Sequence, residues 1–77
     1  MQAYILVTVE QGKEEAVYEK MFTYPQVSGA HILFGEWDII AKVDVASPEE
    51  LTTFIIDNVR KLEGVSVTSS LIVANKA

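Results

Sequence analysis

An aspartate at the start of an apolar run holds the position in this sequence that most suggests ligand chemistry. Asp38 follows the turn residues Gly35 and Glu36 and directly precedes the strand-like residues 39–45, within FGEWDIIAKVDV. A carboxylate beside a turn can pair with a ligand's ammonium group, while backbone groups freed at the turn can bind the ligand's carboxylate. The alternative is a solvated acid at a strand end that holds the turn through a hydrogen bond to the backbone. Residue chemistry alone favours this alternative.

Two hydroxyl residues and one histidine complete the set of candidate groups. Thr68 and Ser70 stand two apart in VSVTSS, so they share a face of a strand and can donate to a ligand carboxylate, although both types are also ordinary on sheets. His31 is the only histidine, and no nucleophile motif accompanies it, so we interpret it as a surface or packing residue. The chain has no cysteine, and no spacing gathers carboxylates around His31. We therefore predict no catalytic residue, no metal site and no cofactor.

Composition favours a small domain that assembles with other copies. The chain has 77 residues, enough for one domain, and 49% of them are hydrophobic. A core this small is marginal alone, and without disulfides or metal the remaining source of stability is oligomerisation. The net charge of -5 gives no counterion release, so direct nucleic-acid binding is not expected. The longest apolar run, AYILV, is too short to span a bilayer, and we expect a cytoplasmic protein without membrane contact.

The first half of the chain predicts a strand, a helix and a hairpin. Residues 3–10 are β-branched and apolar, and residues 13–22 have acidic residues in their first turn and end before Pro25. Residues 27–34 and 37–46 are predicted strands on either side of a tight Gly-Glu turn.

The second half predicts a helix and a last strand. Ser47 suits the N-cap, Pro48 the first helical position and Glu50 the third, and Gly64 suits the C-terminal end. Residues 65–74 form the last predicted strand. The order is βαββαβ, a ferredoxin-like α+β fold with a four-stranded antiparallel sheet and two helices on one face. Right-handed crossovers then place the first and third strands in the centre.

The sheet face away from the helices is predicted to be half apolar. Alternation assigns Val65, Val67, Leu71 and Val73 to the helix side of the last strand, and Thr68, Ser70 and Ile72 to the open side. Apolar residues on the open face, together with a large aromatic ring beside the turn, predict a dimer interface formed by Tyr4, Leu6, Trp37, Ile40 and Ile72. The alternative is a wet face with scattered apolar residues, which is common on monomers.

One family shares this order of residues. Its pattern is a glycine, two residues, an aspartate and an apolar run, then a helix, then Gly-Val and a strand with alternating hydroxyls. The matching positions are Gly35, Asp38, Ile39, Ile40, Gly64, Val65, Thr68, Ser70, Leu71, Ile72 and Val73. Over nearly its whole length the chain resembles the C-terminal effector-binding domain of the Lrp/AsnC regulators, known as the RAM domain.

The resemblance carries expectations about assembly and ligand. It implies a dimeric α/β barrel, a ring of dimers such as an octamer, and a small, amino-acid-like effector bound between dimers. Asp38 matches the motif aspartate at the effector site, and the ligand-binding residues implied are Gly35, Glu36, Asp38, Thr68 and Ser70. Family regulators carry an N-terminal helix-turn-helix, whereas here the first strand begins at residue 3. We therefore expect one stand-alone domain over residues 1–77, a sensor acting alone or co-assembling with full-length Lrp/AsnC regulators.

Two other functions remain open at the level of sequence. Small ferredoxin-like dimers include isomerases and monooxygenases, which would need a closed apolar pocket with His31 or an acid pointing into it. An ACT-like amino-acid-binding module has the same strand order, with its glycine-bearing loop after the first strand, where Gly12 lies. The Gly-x-x-Asp hairpin and GVSVTSS fit the Lrp/AsnC pattern better.

Overall fold

The elements follow one another in the predicted order βαββαβ. The computed structural model describes residues 1–75, and its elements are β1 (Gln2–Val9), α1 (Glu14–Met21), β2 (Val27–Ile32), β3 (Ile39–Asp44), α2 (Pro48–Asp57), a single 3-10 turn (Val59–Lys61) and β4 (Val65–Ile72). The sheet order is β2-β3-β1-β4, and all three pairings are antiparallel. The first and third strands are therefore central, as predicted. None of the helices in residues 1–75 has the length and apolarity needed to cross a membrane.

The core lies between the helices and one face of the sheet. Alternate residues of the central strands are fully buried, among them Ile5 and Val7 of β1 and Ile39 of β3. These side chains form one cluster with buried residues of both helices, including Met21 and Phe54. The period-two pattern of β1 and β3 therefore predicted the buried face correctly. Tyr24 packs edge-on against Phe54 at the margin of this core, and burial raises the pKa of its phenol.

The start of α2 shows the capping that the sequence predicts. The Ser47 hydroxyl accepts a hydrogen bond from the Glu50 N–H at 3.1 Å, and Pro48 occupies the first turn. The Glu50 carboxylate reaches back to the Ala46 N–H at 3.1 Å, one residue earlier than in a standard capping box. Both bonds satisfy backbone donors that the helix leaves free, so α2 begins at a defined residue.

The connection between β2 and β3 is longer than predicted. The strands end at Ile32 and resume at Ile39, so the tight two-residue turn is wrong. The Leu33 N–H donates to the Asp38 carbonyl at 2.8 Å and closes a loop of four residues between them. Phe34 in this loop is fully exposed. Aromatic residues favour strands because their side chains pack against neighbours, and here no such packing stabilises an extension of β2.

The register of β4 also differs from the prediction. Val9 pairs with Val65 but Thr8 pairs with Val67, so Ser66 is an extra residue in a bulge. Beyond a bulge every side chain changes face. The pairing sets Thr68, Ser70 and Ile72 beside Val7, Ile5 and Ala3, which are buried under the helices. Placing these three residues on the open face was wrong, and Val67 and Leu71 occupy the open-face positions instead, opposite Thr8 and Tyr4.

Candidate functional site

The β2–β3 loop carries the first group of predicted ligand residues. Gly35 has φ +135°, a conformation that favours glycine, and Glu36 is exposed. Asp38 is half-buried, and its carboxylate Oδ2 accepts a hydrogen bond from the Val9 N–H at 2.8 Å. Its own N–H donates to the Val7 carbonyl at 2.9 Å. Asp38 therefore ties the loop to the end of β1 through Oδ2, and within residues 1–75 its Oδ1 takes part in no hydrogen bond.

The edge strand β4 carries the second group. Thr68 and Ser70 share the helix side of the sheet, where a cleft of about 200 Å³ separates β4 from α2. The lining residues of this cleft are Thr52, Ile55, Ile56, Arg60, Thr68, Ser69 and Ser70. No sequence pattern singled out Thr52 or Arg60 as a candidate, because contacts between a helix and a strand leave no local signal. The structure adds a cation to the predicted hydroxyls.

The two groups do not meet within one chain. Asp38 lies on the open face by alternation with Ile39, whereas Thr68 and Ser70 lie on the helix side. The β2–β3 loop belongs to one side of the sheet, and β4 is the edge strand on the other side. Within one chain the two groups therefore line different faces of the sheet.

The open face of the sheet has the mixed character that the sequence predicts. Tyr4, Leu6 and Ile40 lie on it, since Tyr4 pairs with Lys42 and Leu6 with Ile40. Its strand β4 contributes Leu71 and Val67, which are 54% and 55% exposed. Of the other predicted interface residues, Trp37 is half-buried in the hairpin loop, and Ile72 lies on the helix side with half of its surface exposed.

A hollow of about 340 Å³ interrupts the open face, lined by Tyr4, Gly29, His31, Ile40 and Lys42. Its floor includes Gly29, which has no side chain to fill the space and has open space where a Cβ would stand. His31 is exposed at its rim, consistent with a surface residue. Within residues 1–75 no three histidine, aspartate or glutamate side chains lie close enough to hold a metal ion.

The fold and these surfaces define a ferredoxin-like α+β domain with a polar cleft beside an edge strand and a half-apolar sheet face. Residues 2–77 match the family described as the Lrp/AsnC ligand binding domain. The chain belongs to this family, as the Gly-x-x-Asp hairpin and the GVSVTSS strand predicted. The family is one of transcriptional regulators.

The chain is similar to part of the sequence of named transcriptional regulators. It is 35% identical over 71 residues to the HTH-type transcriptional regulator FL11 of Pyrococcus furiosus, an alignment that covers 92% of this chain and 46% of FL11. The chain thus spans about half the length of the curated relatives it matches. Among solved structures, FFRP-DM1 is 36% identical with a TM-score of 0.89, and the match covers 95% of this chain and 97% of that one.

A more distant structure shares the fold alone. The transcriptional regulator NMB0573 of Neisseria meningitidis, solved as a complex with L-Met, is 22% identical with a TM-score of 0.86. The match covers 97% of this chain and 50% of that chain.

Proposed function

We propose that the chain is a non-catalytic effector-binding module of the Lrp/AsnC type whose ligand is an amino acid. The observation that carries this proposal is the match of residues 2–77 to the family's ligand-binding domain. The module works in the cytoplasm, as a sensor acting alone or by co-assembly with full-length Lrp/AsnC regulators.

The proposed ligand site is shared between subunits. Gly35, Glu36 and Asp38 come from the hairpin loop of one subunit, and Thr68 and Ser70 come from the β4 edge of another. Their separation in a single chain supports this arrangement. Oδ1 of the Asp38 carboxylate accepts from the ligand's ammonium group, and hydroxyl groups and backbone amides bind the ligand's carboxylate.

Assembly is proposed to begin with a homodimer through the open sheet faces. Tyr4, Leu6 and Ile40 form an apolar stripe there, which Leu71 extends across the edge strand. Two such faces packed together give the dimeric α/β barrel, and a ring of dimers such as an octamer brings loop and edge strand together. Isologous packing of this kind uses the same patch on both copies.

The test combines a thermal-shift screen of the twenty amino acids with native mass spectrometry of the purified chain. A ligand that binds only the assembled protein raises its melting temperature and favours the larger species. We expect at least one amino acid to do both, and methionine belongs in the first round because NMB0573 was solved with it. No shift with any of the twenty, in a protein shown to be assembled, would rule out the proposed function.

A further inference from the structure

The cleft between α2 and β4 places hydroxyl groups beside one cation. Its volume is about 200 Å³, and no acidic residue is among those lining it. The Thr52 hydroxyl already donates to the Pro48 carbonyl at 3.1 Å. The other lining residues with side-chain donors are Arg60, Thr68, Ser69 and Ser70, and the arginine guanidinium has five N–H groups and no acceptor. The cleft therefore offers several side-chain hydrogen-bond donors and no carboxylate.

The backbone at the edge of β4 adds further donors. The Val67 N–H points to the Thr8 hydroxyl at 3.0 Å, and the Val73 N–H points to the Gln2 carbonyl at 3.0 Å, so both face β1. In an antiparallel strand the direction alternates from residue to residue, so the Thr68 and Ser70 backbone groups point to the free edge. Each of these residues thus presents its N–H at the edge and its hydroxyl towards the cleft.

Arg60 has no carboxylate partner within the described part of the chain. The ion pair found in residues 1–75 joins Lys13 to Glu63 at 3.7 Å, and Arg60 takes no part in it. Arg60 follows the C-terminal end of α2, where any cation is favoured by the helix dipole. Lys61 is equally placed for that role but does not line the cleft. A helix-dipole role would be shared by Arg60 and Lys61, whereas a role in binding at the cleft would belong to Arg60 alone.

We propose that the α2–β4 cleft is a carboxylate-binding pocket with Arg60 as its charged anchor. The guanidinium forms a bidentate ion pair with the carboxylate of a small aliphatic acid, a class that includes amino acids. Thr68 and Ser70 donate to the same group, while Ile55 and the half-exposed Ile56 contact the carbon chain. The volume suits a compact molecule, since pockets for drug-sized ligands hold about 300–1,000 Å³. This proposal deepens the proposed function by naming the residue that binds the ligand's carboxylate. It rests on the proposed function for the statement that the natural ligand is an amino acid.

The test is a ¹H–¹⁵N NMR titration of the whole chain with sodium isovalerate, a branched carboxylate. 3-Methylbutan-1-ol has the same carbon skeleton without the charge and is the control compound. We expect saturable shifts of the Thr68 and Ser70 amides and of the Arg60 Nε–H with isovalerate only. Arg60→Gln should weaken binding roughly 10- to 100-fold, the usual effect of losing a charge-assisted hydrogen bond. Lys61→Gln makes the same charge change on the same turn and should leave the affinity within about twofold, since it removes no contact to the ligand.

Two outcomes would overturn this assignment: shifts that never saturate, or equal losses in Arg60→Gln and Lys61→Gln. The proposed function can fail separately. If isovalerate binds through Arg60 but none of the twenty amino acids binds the assembled protein, the pocket stands and the amino-acid sensor is wrong. If an amino acid binds Arg60→Gln as tightly as the wild type, the sensor stands and the pocket is wrong.

Discussion

Asp38 has a structural role that its sequence context only partly suggests. Its carboxylate accepts from the Val9 N–H at 2.8 Å and so ends β1 at a defined point. Loss of the carboxylate leaves a partly buried backbone donor without a partner, which costs about 1–3 kcal/mol. Replacement by alanine therefore changes the fold's stability as well as any ligand contact. A variant that separates the two effects has to keep an acceptor oxygen and lose the charge.

We predict that Asp38→Ala lowers the free energy of unfolding by about 1–3 kcal/mol, while Asp38→Asn lowers it by less than about 1 kcal/mol. The asparagine side-chain oxygen can still accept from the Val9 N–H. Urea unfolding at one protein concentration measures both values. Equal losses in the two variants would show that the hydrogen bond is not what stabilises this end of β1.

Ligand binding separates the same variants in another way. If the Asp38 charge pairs with an amino acid's ammonium group, Asp38→Asn should weaken binding roughly 10- to 100-fold with the fold intact. Isothermal titration calorimetry with the amino acid found in the screen measures this. Unchanged affinity, at an unchanged assembly state, would leave Asp38 with its structural role alone.

At the scale of the elements, Gly64 controls how β4 begins. Its φ is +96°, and an added Cβ would lie 2.9 Å from the Lys13 Cβ. Its carbonyl accepts from the Glu10 N–H at 2.8 Å, which joins the start of β4 to the end of β1. The glycine therefore sets where β4 meets the β1–α1 connection, just before the bulge at Ser66.

We predict that Gly64→Ala destabilises the fold by more than the roughly 1–3 kcal/mol expected from its backbone conformation alone, because the contact with Lys13 adds to that cost. Gly12→Ala is the matched control, because Gly12 also has a positive φ of +86° but open space around it. Its cost should come from the backbone alone and be smaller. Thermal unfolding of both variants tests this, and a larger loss for Gly12→Ala would contradict the role given to the contact.

At the scale of the whole molecule, the proposed dimer rests on the open sheet face. Leu6 lies near its centre, between Ile40 on β3 and Ser69 on β4. Leu6→Asp would place an unpaired carboxylate in the proposed interface, at a cost on the order of several kcal/mol. We predict that the variant is monomeric and the wild type at least dimeric, as measured by light scattering.

The control is Phe22→Asp, which introduces the same charge at the end of α1, on the helix side, where Phe22 is 47% exposed. It should leave the mass unchanged. A well-folded wild-type monomer at micromolar concentration, or an unchanged mass for Leu6→Asp, would contradict packing through this face.

The net charge of the chain predicts how it behaves towards DNA. With a net charge of -5 the chain has no excess of cations to release counterions from a duplex. We predict no sequence-specific duplex binding by this chain alone in gel shifts at sub-micromolar concentration. A salt-sensitive shift would show that its basic residues form a surface that its composition does not suggest.

Local patterns in the sequence determine most of the fold without any long-range contact. Ile39, Ala41 and Val43 alternate with more exposed residues, and the Ser47–Pro48–Glu50 start of α2 makes its bonds within a few residues. Such signals are local because periodicity and capping depend on neighbours in sequence. The βαββαβ order and the two central strands follow from them.

Tertiary structure alone decided the faces of β4 and the partners of the candidate site. In VSVTSSLI apolar and hydroxyl residues can fill either face, so local alternation does not specify a bulge. The pairing of both Val65 and Val67 with consecutive residues of β1 places it at Ser66. That bulge turns Thr68 and Ser70 away from Asp38 and towards Arg60, and the Asp38 carboxylate meets an N–H 29 residues away. Contacts over such distances are set by the packing of whole elements, which no short stretch of sequence encodes.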